Sequence, residues 1–584
     1  MSRLTAAARW SVLLVALSGC GGGNKGGPAG SFAAGGVADL TSPGLDLSGG
    51  NADSAGAGGE GGTVTVRSGI SFSVGGDAAP APLPAPAAVN TVSSLSGDQV
   101  FSGTTVLSEA VTGSGSITVN GGDLFITGTV TTGGGAISLR TTSGSIHLTG
   151  TIDTSGAGGG SGGAVTMDAA ASIELHGAIV TNGGSVDATS DSVRGGAGGS
   201  ITIAGRNEIT ITSALRFRGG AASTTGVGAV GGDGGSLAID AAVPVRLYGT
   251  FDGRGGPATA SGGEVRGGHG GRISIGTTTP VVSVTIQGSR FAADGGSGAA
   301  AGGKGGTFDL LASSGGIALA GTFSASGGGS GAVSGAGGSL KALCDVGGGD
   351  LVVHGTIRVV GGSASAGSTS ASGGAGGSAE LTAWFDSMGP LGGTGGSIIL
   401  DPPSQVVADG GGSGGSAPAG KGGTVHLEIP QGAVTMSGSI SARGGSANGS
   451  GAGGLGGLIW VASDANANAT GGAITLETGA VLDASGGDSA SGIGGDAQWS
   501  TIPVFQAGTV PIAVLLDSDS VVGGPNPGGL ILNKGTIFAR GGSPNGHGGD
   551  VEFHGAGPSS REPDPGDIRN EGNGSGGNGV FVAD

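Results

Sequence analysis

Between residues 200 and 218 apolar side chains come two apart three times over: Ile201 and Ile203, Ile209 and Ile211, Leu215 and Phe217. A period of two puts one face of a strand against a core and the other in water. No stretch keeps a helical period of 3.6 over a dozen residues. The pattern therefore predicts three short strands in this segment and no helix. Ahead of the first strand runs Gly195-Gly196-Ala197-Gly198-Gly199, and the whole unit returns at Gly231 to Ile239, Gly267 to Ile275 and Gly302 to Leu310. Loops starting at 159, 195, 231, 267 and 302 are spaced 36, 36, 36 and 35 residues apart. Looser copies begin near Gly335, Gly373, Gly392, Gly453 and Asn545. A period of this length marks a solenoid or array.

One such unit cannot bury a core alone. Stacked on its neighbours it closes a continuous apolar column and pairs its backbone with the layers above and below, at about 4.8 Å per layer. That is a parallel β-helix. A second pattern, Gly-Thr/Ser-apolar-x-x-x-Gly-Gly, recurs from Gly249, Gly321, Gly355, Gly438 and Gly535. It places a glycine at the corner between two strands of each layer. The long Gly/Ala/Ser loops should emerge in register on one edge. The Gly361–Gly377 loop is then replaceable by a short turn, whereas a core slot such as Ile201 is not.

Composition changes this picture little. Glycine is 144 of 584 residues, a level that suggests low complexity where no period exists. Here the period, 36% hydrophobic and 11% charged residues argue for a folded chain. The formal net charge is −18 with no basic run, which argues against nucleic acid as a partner.

Residues 1–19 read as an export signal: Arg3 and Arg9, then the apolar run Val12 to Leu17, too short to span a membrane. Leu17-Ser18-Gly19-Cys20 resembles the bacterial lipobox at each of its four positions. The resemblance implies cleavage before Cys20, lipidation of its thiol and acylation of the new N-terminus, which together make a stable anchor. Gly21 rather than an acidic residue, by resemblance to Gram-negative lipoproteins, implies an address at the outer membrane. Residues 20–34 form a Gly-rich tether. Residues 35–76 echo the repeat, either as a separate N-terminal strand module or as strands docked on the solenoid. Residues 77–90 are a Pro/Ala-rich spacer, 91–557 the β-helix, and 558–584 a polar tail, loose or capping.

Candidate chemistry is sparse. Calcium β-rolls need an aspartate where this chain has Ser200, Ser236, Arg272 or Thr307, so that family is excluded; Asp153, Asp252 and Asp483 read as solvated loop carboxylates. Catalysis on a β-helix needs acids and bases converging on one wall. Asp240, Asp309 and Glu428 lie on separate repeats, and the histidines are scattered. Arginines before paired glycines, Arg218, Arg254, Arg443 and Arg540, form a candidate row for an anionic glycan, with Arg216 above Asp252 as a cross-layer ion pair. Trp384, Trp460 and Trp499 are candidate carbohydrate platforms or packing residues. Cys344, between apolar neighbours, reads as a small buried hydrophobe.

The repeat architecture over about 90–555 resembles Gly-rich bacterial surface proteins with right-handed parallel β-helix folds, of the filamentous-haemagglutinin-like and pectate-lyase-like kinds. The resemblance implies an all-β, single-stranded solenoid acting as an adhesin, an envelope structural element or a glycan-active enzyme. The expectation is a surface-tethered, non-enzymatic structural or adhesive lipoprotein without cofactor or metal. Its partners would be the outer-membrane lipid, through Cys20, and a cell-surface or extracellular polysaccharide. A glycan-binding module and a polysaccharide lyase or hydrolase are the alternatives.

Overall fold

A computed structural model of the chain describes residues 81–583 apart from 83–89, 93, 190–191, 345–348, 366–367, 384–395, 430–431, 464–471, 498–511, 519–528, 556–566, 576 and 579. Cys20 and the expected module at 35–76 lie outside the described residues. So do Trp384 and Trp499.

Residues 82–584 form one compact unit, a parallel β-helix. Its first wall is a sheet of 15 strands running in chain order from Gly97–Ser102 to Phe581–Ala583. The second and third walls are two further parallel columns. The strands Val284–Ala292 and Ile317–Ser324 turn the corner between them without a break, which joins both columns into one sheet of 26 strands. Each layer thus reads wall one, wall two, wall three, as Ser200–Ala204, Ile209–Ile211 and Ala214–Arg216 show. Fifteen strands at about 4.8 Å make the first wall about 70 Å long.

The alternation read from the sequence sets which residues point inward. Ile201 and Ile203 stack on Leu237 and Ile239, then on Ile273 and Ile275, all buried. On wall three Phe251, Phe291 and Phe323 stack ring on ring, with centroids 4.3 and 4.8 Å apart. Each such side chain contributes about 1.5–3 kcal/mol by burial. Cys344 closes a wall-one strand, is buried, and accordingly has its thiol pushed up to about 12 by desolvation.

The solenoid does not stop at 557. Asp567–Arg569 extends wall three and Phe581–Ala583 extends wall one. Three-residue strands in a polar tail carry too little alternation to be recognised.

The long loops are not plain loops. Val186–Ala188, Ala222–Thr224 and Ala258–Ala260 stack as one small parallel sheet; Ser192–Arg194, Gly228–Val230 and Glu264–Arg266 stack as another. Together they form a fin with its own small core of Val193, Ala222, Ala229, Ala258 and Val265. Single bridges carry its two ladders onward through Ser330 to Ala364 and through Val333 to Ser372, and a further run links Ser413, Ala447 and Ser489.

Fin and solenoid meet at a neck made of the Gly-Gly-x-Gly-Gly segments. In Gly195–Gly199 the N–H groups of Gly195 and Gly198 donate to Val230 and Asp233 in the next layer, both at 2.9 Å. Those of Gly196 and Gly199 donate sideways to Gly184 and Thr181 of the outgoing chain, at 2.9 and 2.6 Å. Partners repeating every third residue describe a polyproline-II turn, with three residues per turn. A Cβ on Gly195, Gly196, Gly198 or Gly199 would overlap the carbonyl oxygen of Gly220, Gly160, Phe217 or Gly163, respectively. Only the middle position faces out, and only it varies: Ala197, Asp233, His269, Lys304. The same bonds recur layer after layer, from Gly220 to Gly196 and from Gly232 to Gly220, up to Gly542 to Gly495. Gly361, Gly362, Gly374 and Gly377 belong to this neck through bonds to neighbouring layers. The Gly361–Gly377 loop is therefore not replaceable as a whole, and tolerance to change is confined to the fin tip.

Candidate functional site

The structure brings Arg218 and Arg254 together. Both sit where the outgoing chain leaves wall three for the neck, on adjacent layers, around Asp252. Asp252 is 3% exposed. Its carboxylate takes the Arg218 guanidinium and, at 3.0 and 3.1 Å, the Nη2 and Nε groups of Arg254. Burial alone would raise this carboxyl, but hydrogen bonds from both arginines and their charges outweigh it and hold it below the usual carboxylate range. Two expectations are corrected here. Asp252 is not a solvated loop carboxylate: it closes a strand and accepts the Arg254 N–H two residues on, at 3.4 Å. Asp153 and Asp483 do the same for Ser155 and Ser485. The ion-pair partner is Arg218, not Arg216. Arg216 is the backbone neighbour of Asp252, yet its side chain is exposed on the outer face.

Arg218 and Arg254 line a cavity of about 560 Å³ on the outgoing flank of the neck, with Asn182, Ser185 and Asp294. Its charges are already matched. Asp252 lies between the arginines, and Asp294, held by Ser324 Oγ at 2.5 Å and the Ser326 N–H at 2.8 Å, raises Arg254 further. Arg443 stands well along the same row, beyond Asp294, Ser326, Val360 and Asp409, and pairs with Asp483 at 3.5 Å. Arg540 pairs with Glu571 at 3.2 Å and lies over the Phe538 ring. The arginines thus form no continuous cationic row.

The Asp252 cluster gives a pH prediction. A carboxyl whose folded pKa lies below its unfolded value contributes stability above the unfolded pKa, about 4, and loses it as pH falls through the folded value. Asp252→Asn should cost about 3 kcal/mol at pH 7, because two guanidiniums lose their counter-charge. It should also flatten the fall of melting temperature below pH 4. An acid limb as steep in the variant as in the parent would show that the pair contributes nothing.

A mixed cluster that sequence reading missed occupies the outer face of wall one. Strand register lines up Asp309, Lys341, Glu380, His426 and Trp460 as successive partners. Lys341 Nζ is 2.7 Å from Glu380 Oε1, and Arg272 is 2.8 Å from Asp309. His426 Nε2 is 3.7 Å from Glu428 Oε2. Desolvation pushes His426 down to about 4, so its imidazole is neutral near pH 7, and burial raises the Glu428 carboxyl. Asp309 and Glu428, separate in sequence, therefore share one wall; Asp240 instead accepts the Thr278 N–H at 3.0 Å. Trp460 stacks on the His426 ring, with centroids 4.1 Å apart. That face of the indole is occupied, so Trp460 presents no free platform on that side. The register of unequal repeats decides these neighbours, and the Gly-Gly-x-Gly-Gly anchors were the only signal that could have aligned them.

On the returning flank of the neck lies a second concavity of about 680 Å³, running along the stack. Its floor is the glycine pairs Gly198-Gly199, Gly234-Gly235, Gly270-Gly271 and Gly305-Gly306. Ser200, Ser236, Arg272 and Thr307 edge one side, His269 and Lys304 the other. Compared with known proteins, the chain matches no family model, no curated protein and no solved structure.

Proposed function

We propose that this chain is a surface-tethered, non-enzymatic structural or adhesive lipoprotein of the bacterial envelope, anchored through acylated Cys20 and directed toward polysaccharide. The unbroken stack supports this reading. A wall of 15 parallel strands, with a fin bonded along it layer by layer, is a repeating surface suited to extended contacts rather than to one deep reaction centre. The arginines fit a structural part, since their charge is spent on internal carboxylates.

The anchor is tested by labelling cells with a palmitate analogue. The chain should take the label, and Cys20→Ser should abolish it and release the protein from the membrane fraction. Label surviving the substitution would refute the anchor. An enzyme reading would rest on the side chains of Lys341, Glu380, His426 and Glu428. Release of new chain ends from a polysaccharide, lost in His426→Ala, would favour it over the non-enzymatic reading.

A further inference from the structure

The two flanks of the neck differ in one respect that bears on ligands. On the outgoing flank both cations, Arg218 and Arg254, share the buried Asp252 carboxylate as counter-charge. On the returning flank one cation keeps its charge unpaired. Lys304 is exposed and has no ion pair among the described residues. His269 Nδ1 accepts the Lys304 N–H at 2.9 Å, so the neutral ring carries its proton on Nε2, a donor left over. Arg272 is fixed on Asp309 through Nε and Nη2 only. Acceptors are also spare: no described donor reaches the carbonyls of Gly198, Gly234, Gly270 or Gly305. The hydroxyls of Ser200, Ser236 and Thr307 likewise make no hydrogen bond to a described residue.

The glycine carbonyls repeat once per layer, at about 4.8 Å. That interval is close to the rise per residue of an extended 1,4-linked glycan, so one pyranose would meet one layer. A floor without side chains admits a sugar chain down to the backbone, where its hydroxyls can donate to the carbonyl row. Lys304 on one edge, and the guanidinium donors of Arg272 not engaged by Asp309 on the other, suit carboxylates at these two layers, whereas Asp233 occupies the same row one layer earlier. The overall charge of −18 opposes a polyanion at long range, but at physiological ionic strength charges beyond about 8 Å are largely screened, and the local donors decide.

We propose that the glycine-floored trough from Gly198 to Thr307 binds an extended acidic polysaccharide, of the uronate class, laid along the stack with its carboxylates on Lys304, His269 and Arg272. This deepens the adhesive reading and rests on it, while naming residues and a ligand class of its own.

The test is affinity electrophoresis of the purified full chain, in mild detergent, through gels containing polygalacturonate or, as a neutral control, xylan. Polygalacturonate should retard the chain, less so at high salt, and xylan should not. Lys304→Ala should weaken retardation about tenfold, the loss of a charge-assisted hydrogen bond. Ser236→Trp, which fills the trough without removing charge, should weaken it comparably. Arg216→Ala, which removes an exposed charge away from the trough, should leave it unchanged. No retardation of the parent, equal retardation by xylan, or retardation unaffected by both trough substitutions would overturn the proposal. None of these outcomes touches the anchor, whose failure is read separately from palmitate labelling.

Discussion

Gly196→Ala is expected to destabilise the protein by about 3 kcal/mol, a large effect for a single methyl group. The added Cβ would overlap the carbonyl of Gly160, and the Gly196 N–H would lose its place against Gly184. Neither partner is a side chain that can swing aside. Both are backbone, fixed in turn by the next layers. Ala197→Ser, one residue on, should change stability by no more than about 0.5 kcal/mol, because that position faces out. Thermal melts of the two variants give the comparison. Equal stabilities would mean that the neck does not pack as a polyproline-II bundle.

Ile201→Asp should cost more, about 5 kcal/mol, since a carboxylate or an uncharged carboxyl would sit without partners between Val165 and Leu237. Shortening the fin tip between Ser365 and Thr369 should leave the melt within about 1 kcal/mol of the parent, because the neck pairs Gly361-Gly362 and Gly373-Gly374 are spared. A core aspartate that is tolerated alongside a shortened tip that unfolds the chain would reverse the assignment of core and edge.

The strands of the solenoid up to the tail were legible because alternation recurs from layer to layer: Ile201 and Ile203 announce the same slot as Leu237 and Ile239. The fin was not. Its small core is largely alanine, and stretches such as Ala222-Ser223-Thr224 differ too little in polarity between faces to show a period. Glycine was read as loop and corner, whereas most neck glycines are there because another backbone occupies the space of their Cβ. The wall cluster around His426 was hidden for a different reason. Lys341, Glu380, His426 and Trp460 are separated by 34 to 46 residues, and insertions between repeats shift their spacing, so only strand register joins them. Asp252 misled because an aspartate beside glycine ordinarily means solvent, and its burial follows from two arginines on different layers.

The neck also bears on how such a chain can change over generations. Its contacts are made by main-chain amides and carbonyls, which are the same for every sequence. The barrel therefore receives no information about what the fin tip carries, and a new tip inherits a ready-made seat. Turns such as 225–227 and 261–263, beyond the paired fin strands, are in effect exchangeable cassettes, seated on segments that read Gly-Gly-x-Gly-Gly in each of these layers.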